Sequence, residues 1–392
     1  MIKRSTDAFS EFIKSEQAGG VILIVCVIAS LIIANSAVHE SFARLLAYTF
    51  GYESSSIHLK YSALNWINDG LMAIFFFLIG LEIKNEMIDG HLSSFKIAAV
   101  PIFAAVGGAI VPALIFFAFN RGQATGAGWA IPMATDIAFA LGILSLLGKL
   151  VPSSLKVLLS TLAVVDDLLA IVIIAVFYST TLHWLYLGMA LGIFLLLLLM
   201  NKLGVKHLAF YLIPGVVLWY FIHHSGIHAT IAGVLTALAI PVSSKKGPVL
   251  SKLAHKLNTP VNFIIMPVFA LANTNIHFEA SMLNGVFGIL GLGIILGLLF
   301  GKPTGVMLFA WLTVRLKIGS LPDQLSWNHI AGMGMLAGIG FTMSIFISLL
   351  SFGTSVHNTE AKFAILIASV VAGIAGFVYL KSVLGINKKS RR

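Results

Sequence analysis

Stretches of about twenty apolar residues recur along the chain from Val21 to Leu384, separated by short polar links. Each is long enough to cross the roughly 30 Å hydrocarbon core of a bilayer as an α-helix. In lipid every backbone N–H and C=O needs a partner within the protein, and a helix supplies those partners within the segment itself. Composition agrees: 58% of residues are hydrophobic and 10% charged, against about 25% charged in a soluble domain. The net charge of +10 comes from basic residues spread thinly between the apolar runs, so it reports topology and not a nucleic-acid surface. Cys26, the single cysteine, lies inside the first run, which excludes a disulfide framework or a cysteine metal site.

Twelve spans are expected, at 19–36, 64–85, 97–119, 124–147, 154–178, 183–201, 206–221, 226–241, 248–272, 285–312, 328–351 and 359–383. An even number puts both termini on one side. Of the 25 basic residues, twenty then fall on that side and four (Arg44, Lys60, Arg121 and Lys362) on the other, with Lys302 inside the membrane. The positive-inside rule makes the terminal side cytoplasmic. The polar, acid-containing N-terminus has no cleavage site after the first run, which reads as a retained helix. The one longer connection, 37–63, ends in the β-leaning stretch Ser56 to Tyr61 and is expected to form an extracytoplasmic hairpin or interface. No second domain is expected beside the membrane domain.

Two spans carry damaged helix signals. The fourth contains Gly126, Gly128 and Pro132, and the eleventh contains Gly332, Gly334, Gly338 and Gly340. Both are expected to be broken helices. Each stands second in a group of three spans, 97–178 and 285–383, as inverted three-helix repeats would place them. Paired interruptions at matching positions point to a binding site near the midplane.

Most acids sit near span ends, but Asp136, Asp166 and Asp167 are embedded in ATDIAFALGIL and VVDDLLAI. An ionised carboxylate there costs about 3 kcal/mol or more on insertion scales, so such groups pair, face cavities or bind ions. Adjacent residues on a helix project about 100° apart. One aspartate of the pair is therefore expected to face the transported ion and the other a counter-charge. Lys302, in LLFGKPTGVML, is the basic residue deep in a span and the natural counter-charge, the alternative being a lysine that snorkels to the interface. Sodium, a hard cation, calls for oxygen ligands, and Asp167, Asp136 and the Thr135 hydroxyl offer them. Asp136 and Lys302 suit the balancing of opposed helix ends at the breaks. A carboxyl group holds a proton or a sodium ion but not both, and competition for one site yields exchange.

His224 and His228 have the i, i+4 spacing that binds zinc on a helix, but no carboxylate lies between them and Gly226 interrupts the motif. A structural or pH-responsive role is the stronger reading. Glu82 and Glu86 share that spacing around Lys84, either as solvated helix ends or as a proton-sensing cluster.

The motifs WINDGLMAIFFFLIGLEIKNEM, ATDIAFALG, VVDDLLAI, SGIHATIAGV, PVFALAN, GKPTG and GIGFTMSIFI resemble the NhaA family of bacterial sodium/proton antiporters in order and over nearly the whole chain. The resemblance implies twelve helices with two crossed broken ones. It implies Asp167 as the primary sodium and proton carboxylate, Asp166 as the partner of Lys302, and Asp136 with Thr135 at the crossing. Glu82, His228 and Phe341 fall in further motifs. The resemblance also implies electrogenic, alkaline-activated exchange of sodium or lithium for protons in the bacterial inner membrane. A homodimer formed through 37–63 follows as well, surrounded by lipid, with no cofactor and no enzymatic activity. Between spans eight and nine, where the family pattern can carry an acid and two histidines, LAHKLNTP has Ala254, His255 and Asn258, which puts the pH response in doubt.

Two other functional classes also place acids inside a membrane. An intramembrane aspartyl protease needs acids on two helices and a GxGD-type motif, which is missing here. A passive cation channel places rings of charge around a wide pore, unlike one cluster of three acids and a lysine.

Overall fold

The computed structural model describes residues 16–55, 57–93, 95–179, 181–244, 247–278, 285–322 and 324–390. Expectations that rest on 1–15, Ser56, Lys245, Lys246, Arg391 and Arg392 lie outside the described residues. The fold is all-α apart from two short hairpins. Its elements are α1 (Glu16–Ala34), α2 (His39–Ala47), β1 (Thr49–Glu53), β2 (His58–Ser62), α3 (Ala63–Ile88), α4 (Phe95–Asn120), α5 (Ala124–Met133), α6 (Ile137–Leu146), α7 (Ser153–Phe177) and α8 (Trp184–Lys202). There follow α9 (Ala209–Ser225), α10 (Ile231–Ala239), α11 (249–273), α12 (Ile289–Arg315), α13 (Trp327–Ala337), α14 (Phe341–Phe352) and α15 (Val356–Ser390). Each of the twelve expected spans falls on these helices. Among the described residues, six helices are long and apolar enough to cross a membrane alone, or nine with each bent pair taken as one span.

The chain divides into two compact units. One comprises residues up to Val25, His91–Ala170 and Phe278–Arg392. Here α12 carries Gly297, Gly301 and Gly305, one helical turn apart. A Cβ at Gly297 would lie 2.7 Å from Pro132 Cβ, and one at Gly301 would lie 2.8 Å from Pro112 Cα; at Gly305 it would strike the Gly107 carbonyl. Small residues at this spacing let helix backbones approach closely where lipid supplies no hydrophobic drive between helices.

Both expected breaks are present in this unit. α5 is a 3-10 helix that bends by 42° into α6, and α13 bends by 46° into α14. Pro132 removes a donor at the first break. At the second, a Cβ on Gly338 would press against the Leu298 carbonyl. The backbone groups freed at each break bond to the other: Asp136 N donates to Ile339 O at 2.7 Å, the Thr135 hydroxyl to Ala337 O at 2.9 Å, and the Ser344 hydroxyl to Ile131 O at 2.7 Å. The two broken helices therefore meet at their interruptions.

The second unit comprises Cys26–Gly90 and Ile171–His277. α3 packs on α10, where Gly80 faces Val234 and Ala237, and Gly233 faces the Ala73 carbonyl. The expected hairpin forms as β1 and β2, antiparallel with Gly51 opposite Lys60. Gly51 has φ +132°, open to glycine, and a Cβ there would overlap the Leu59 carbonyl. The short helix α2, which follows a 111° bend after α1, was not foreseen.

Candidate ion-binding site

α7 presents Asp166 and Asp167 in sequence, each 3% exposed. Asp166 Oδ2 accepts from the Lys302 ammonium, which also donates to the carbonyl of Met133. Lys302 is 0% exposed, which settles the alternative of snorkelling. Its stem runs against α4 at Gly108, where a Cβ would stand 3.4 Å from Lys302 Cδ and Cε. Immediately before it, α12 widens into a π-helical turn over Gly297–Gly301, a local irregularity often found at functional sites. The Asp167 carboxylate, next along α7, lies within Coulombic reach of Lys302.

Asp136, 1% exposed, is the N-cap of α6. Its Oδ1 accepts from Phe139 N at 3.1 Å, while Oδ2 accepts from Thr342 N at 3.1 Å and from the Thr342 hydroxyl. One carboxylate thus faces the positive ends of both α6 and α14. Lys302 meets the last carbonyl of α5, the negative end of the opposite element. Asp136 and Lys302 thus stand at helix ends of opposite sign. The Asp136 oxygens accept from three donors, two on α14 and one on α6. Among the described residues, no three His, Cys, Asp or Glu side chains converge to hold a metal ion. The Thr135 hydroxyl donates its proton to Ala337 O, which leaves its lone pairs as acceptors. Thr342, whose amide and hydroxyl complete the Asp136 cap, was not singled out in the sequence; its place in GIGFTMSIFI was the available signal.

The family model described as Na+/H+ antiporter 1 matches residues 10–380. The chain belongs to the NhaA family. It is 62% identical over 377 residues to Na+/H+ antiporter NhaA 2 of Flavobacterium johnsoniae, covering 95% of this chain and 92% of that protein. It is 52% identical over 380 residues to Na+/H+ antiporter NhaA of Flavobacterium psychrophilum, covering 97% of each. Against Na+/H+ antiporter NhaA of Dechloromonas aromatica, identity is 49% over 377 residues and 95% of each chain.

In this NhaA-family chain the histidines of the second unit do not share a helix. α9 ends at Ser225 and Gly226 turns left-handed, φ 88°, so His224 and His228 lose the zinc-binding spacing. His224 Nδ1 lies 2.9 Å from Tyr220 O. His228 Nε2 instead lies 3.6 Å from Asp69 Oδ1, and His223 Nδ1 lies 4.0 Å from Asp69 Oδ2. Asp69 was missed in the sequence because it stands near a span start, where an acid is unremarkable.

Glu82 and Glu86 stand one turn apart on α3. Lys84 turns away from them and donates to the Leu238 and Ile240 carbonyls at the end of α10, so the acids do not share that cation. His255 is exposed on Val249–Pro260. His228 sits with Asp69 and Glu82 stands thirteen residues further along α3, about 20 Å at helical rise. The four expected pH-response residues therefore do not form one cluster. In the first unit, Phe341 N donates to the Ser369 hydroxyl at 3.1 Å, and its ring meets Phe139 edge-on at 4.9 Å between centroids.

Proposed function

We propose that the chain exports sodium in exchange for protons at Asp167, with Asp166 and Lys302 as an ion pair beside it. The observation that carries this reading is the fully buried Lys302–Asp166 pair on the helix turn that also bears Asp167. With Lys302 bonded to Asp166, Asp167, next on the same helix turn, is the carboxylate we assign to the alternating proton and sodium ion. A proton does so by covalent bonding and sodium by oxygen coordination, and the two exclude each other. The Asp167 oxygens, the acceptor lone pairs of Thr135 and backbone carbonyls at the interruptions supply a hard-oxygen donor set that suits sodium and the smaller lithium ion.

Exchange needs the loaded site to open to alternate sides of the membrane, and competition ensures that it crosses either protonated or sodium-loaded. Electrogenic stoichiometry needs a second proton carrier per sodium, and the Asp166–Lys302 pair stands next to the first. Such exchange serves sodium and pH homeostasis in an inner membrane, with both termini cytoplasmic by the distribution of basic residues. We read 97–178 and 285–383 as inverted repeats. We also read the hairpin β1–β2, whose β1 residues are all exposed, as the segment through which two chains pair.

The test is a sodium pulse delivered to proteoliposomes carrying a lumenal pH indicator, with the membrane potential first clamped and then free. Sodium-dependent proton movement that a potential accelerates supports the proposal. Proton movement without sodium, or sodium flux without protons, contradicts it.

A further inference from the structure

α13 begins with a capping arrangement in which a titratable ring takes the place of a fixed acceptor. Ser326 is the N-cap, with extended backbone at φ −112° and ψ 164°, and His329 is the third helical residue. Ser326 N donates to His329 Nδ1 at 3.0 Å, the Ser326 hydroxyl stands 3.1 Å from the same nitrogen, and His329 N donates back to Ser326 O at 2.9 Å. In the usual capping box this third position is Glu or Gln, whose oxygen accepts at any ordinary pH. Imidazole accepts only through a nitrogen that carries no proton. The bond from Ser326 N therefore assigns the tautomer: Nδ1 bare, Nε2 protonated.

The ring is 3% exposed, and Nε2 is buried without a hydrogen-bond partner among the described residues. Adding a proton makes both ring nitrogens donors. Nδ1–H then opposes Ser326 N–H and can turn only to the Ser326 hydroxyl oxygen, while a full positive charge stands at a helix N-terminus that already carries partial positive charge. The elements packed on α13 are α12, α15 and α6. Toward this end α12 carries Arg315, α15 carries Tyr379 and Lys381, the loop after α12 carries Lys317, and α6 has no titratable side chain. Among the described residues of these elements none offers a carboxylate to a protonated His329, Asp323 lying outside the described residues; Lys302, deeper on α12, is paired to Asp166.

The other end of α13 is the crossing itself. Ala337 O, in its last residue, accepts the Thr135 hydroxyl, and Ile339 O, two residues on, accepts Asp136 N. The helix is eleven residues long, about 16 Å at helical rise. It is held without slack: a Cβ at Gly334 would stand 3.1 Å from Pro303 Cα, and one at Gly332 would stand 2.5 Å from Leu380. A shift at Ser326 is therefore carried to the Thr135–Ala337 contact.

We propose that His329 is a positioning residue for the transport site, a proton-labile cap that holds α13 in its crossing geometry when neutral and releases it when protonated. The proposal rests on the antiport reading for its transport readout. The sign follows from the bond: the cap is whole at high pH and lost as pH falls through the titration of His329, with a slope of at most about tenfold per pH unit, as one proton dictates.

The test compares wild type, His329→Gln and His329→Ala in proteoliposomes across an acid-to-alkaline series, with thermal unfolding measured at each pH. Gln supplies an acceptor oxygen and cannot titrate in this range. His329→Gln is expected to match wild type at alkaline pH and, at saturating sodium where competition at Asp167 is overcome, to lose less transport and less melting temperature at acid pH than wild type does. His329→Ala is expected to melt lower than His329→Gln at every pH. Superimposable wild-type and His329→Gln profiles in both transport and melting overturn the proposal. If wild type moves no protons with sodium at any pH, the antiport reading falls, and the pH dependence of melting alone still decides whether His329 is a labile cap.

Discussion

The carboxylate of Asp136 reaches across 206 residues of sequence to accept the backbone amide of Thr342 at 3.1 Å. It also caps its own helix through Phe139, so a single side chain joins the first turns of α6 and α14. Asp136→Asn keeps an acceptor for one helix end and removes the charge shared by both. A charge-assisted bond is worth about 1.5–3 kcal/mol, and a stability loss of that order is expected, with Asp136→Ala losing more. Thermal unfolding of the purified proteins checks it; an Asp136→Ala variant as stable as wild type contradicts the capping role.

Removing one partner of a buried ion pair strands the other, at a typical cost of about 3–5 kcal/mol. Lys302→Met and Asp166→Leu are each expected to lower the melting temperature sharply. The double variant, in which neither charge is left alone, is expected to recover part of the loss. Additive losses in the double-mutant cycle would show that the two residues do not act as a pair.

Gly107 and Gly305 let α4 and α12 touch backbone to backbone. A valine at Gly305 has nowhere to go, because even a Cβ overlaps the Gly107 carbonyl. Gly305→Val is expected to abolish monodisperse protein in size-exclusion chromatography, whereas Gly188→Val, on α8 with open space around the position, is expected to be tolerated. Equal behaviour of the two variants contradicts the packing described for α12.

Competition at one carboxylate fixes the direction of the pH effect on sodium binding. As pH falls, protons occupy more of Asp167, and the sodium concentration giving half-maximal exchange is expected to rise by up to about tenfold per pH unit. A half-maximal concentration that stays constant across pH, with only the maximal rate changing, would separate proton binding from sodium binding.

Much of this was legible in the sequence, because the bilayer admits few solutions. Apolar runs of fixed length announced the helices, and the Gly and Pro clusters at 126–132 and 332–340 announced the breaks. Buried charge demands a partner, so Lys302 points to one of the two adjacent aspartates, and the family resemblance selects Asp166. Other features depend on three-dimensional approach and leave little local trace. The π-helical turn at Gly297–Gly301 and the contact of Thr342 with Asp136 become visible only when α5, α12 and α14 are placed side by side. The separation of His224 from His228 turns on one left-handed residue, Gly226, which already interrupts the motif in the sequence. The Ser326–His329 cap reads in sequence as an ordinary polar start to a span.

The central claim is that Asp167 carries the exchanged ions, and sodium-driven proton flux by Asp167→Asn in proteoliposomes tests it most directly. Asparagine matches the shape of aspartate but can neither bind a proton at this pH nor present a charge to sodium. The account predicts that the variant inserts and melts cooperatively, yet moves no protons in response to sodium at any pH. Wild-type exchange by Asp167→Asn would contradict it.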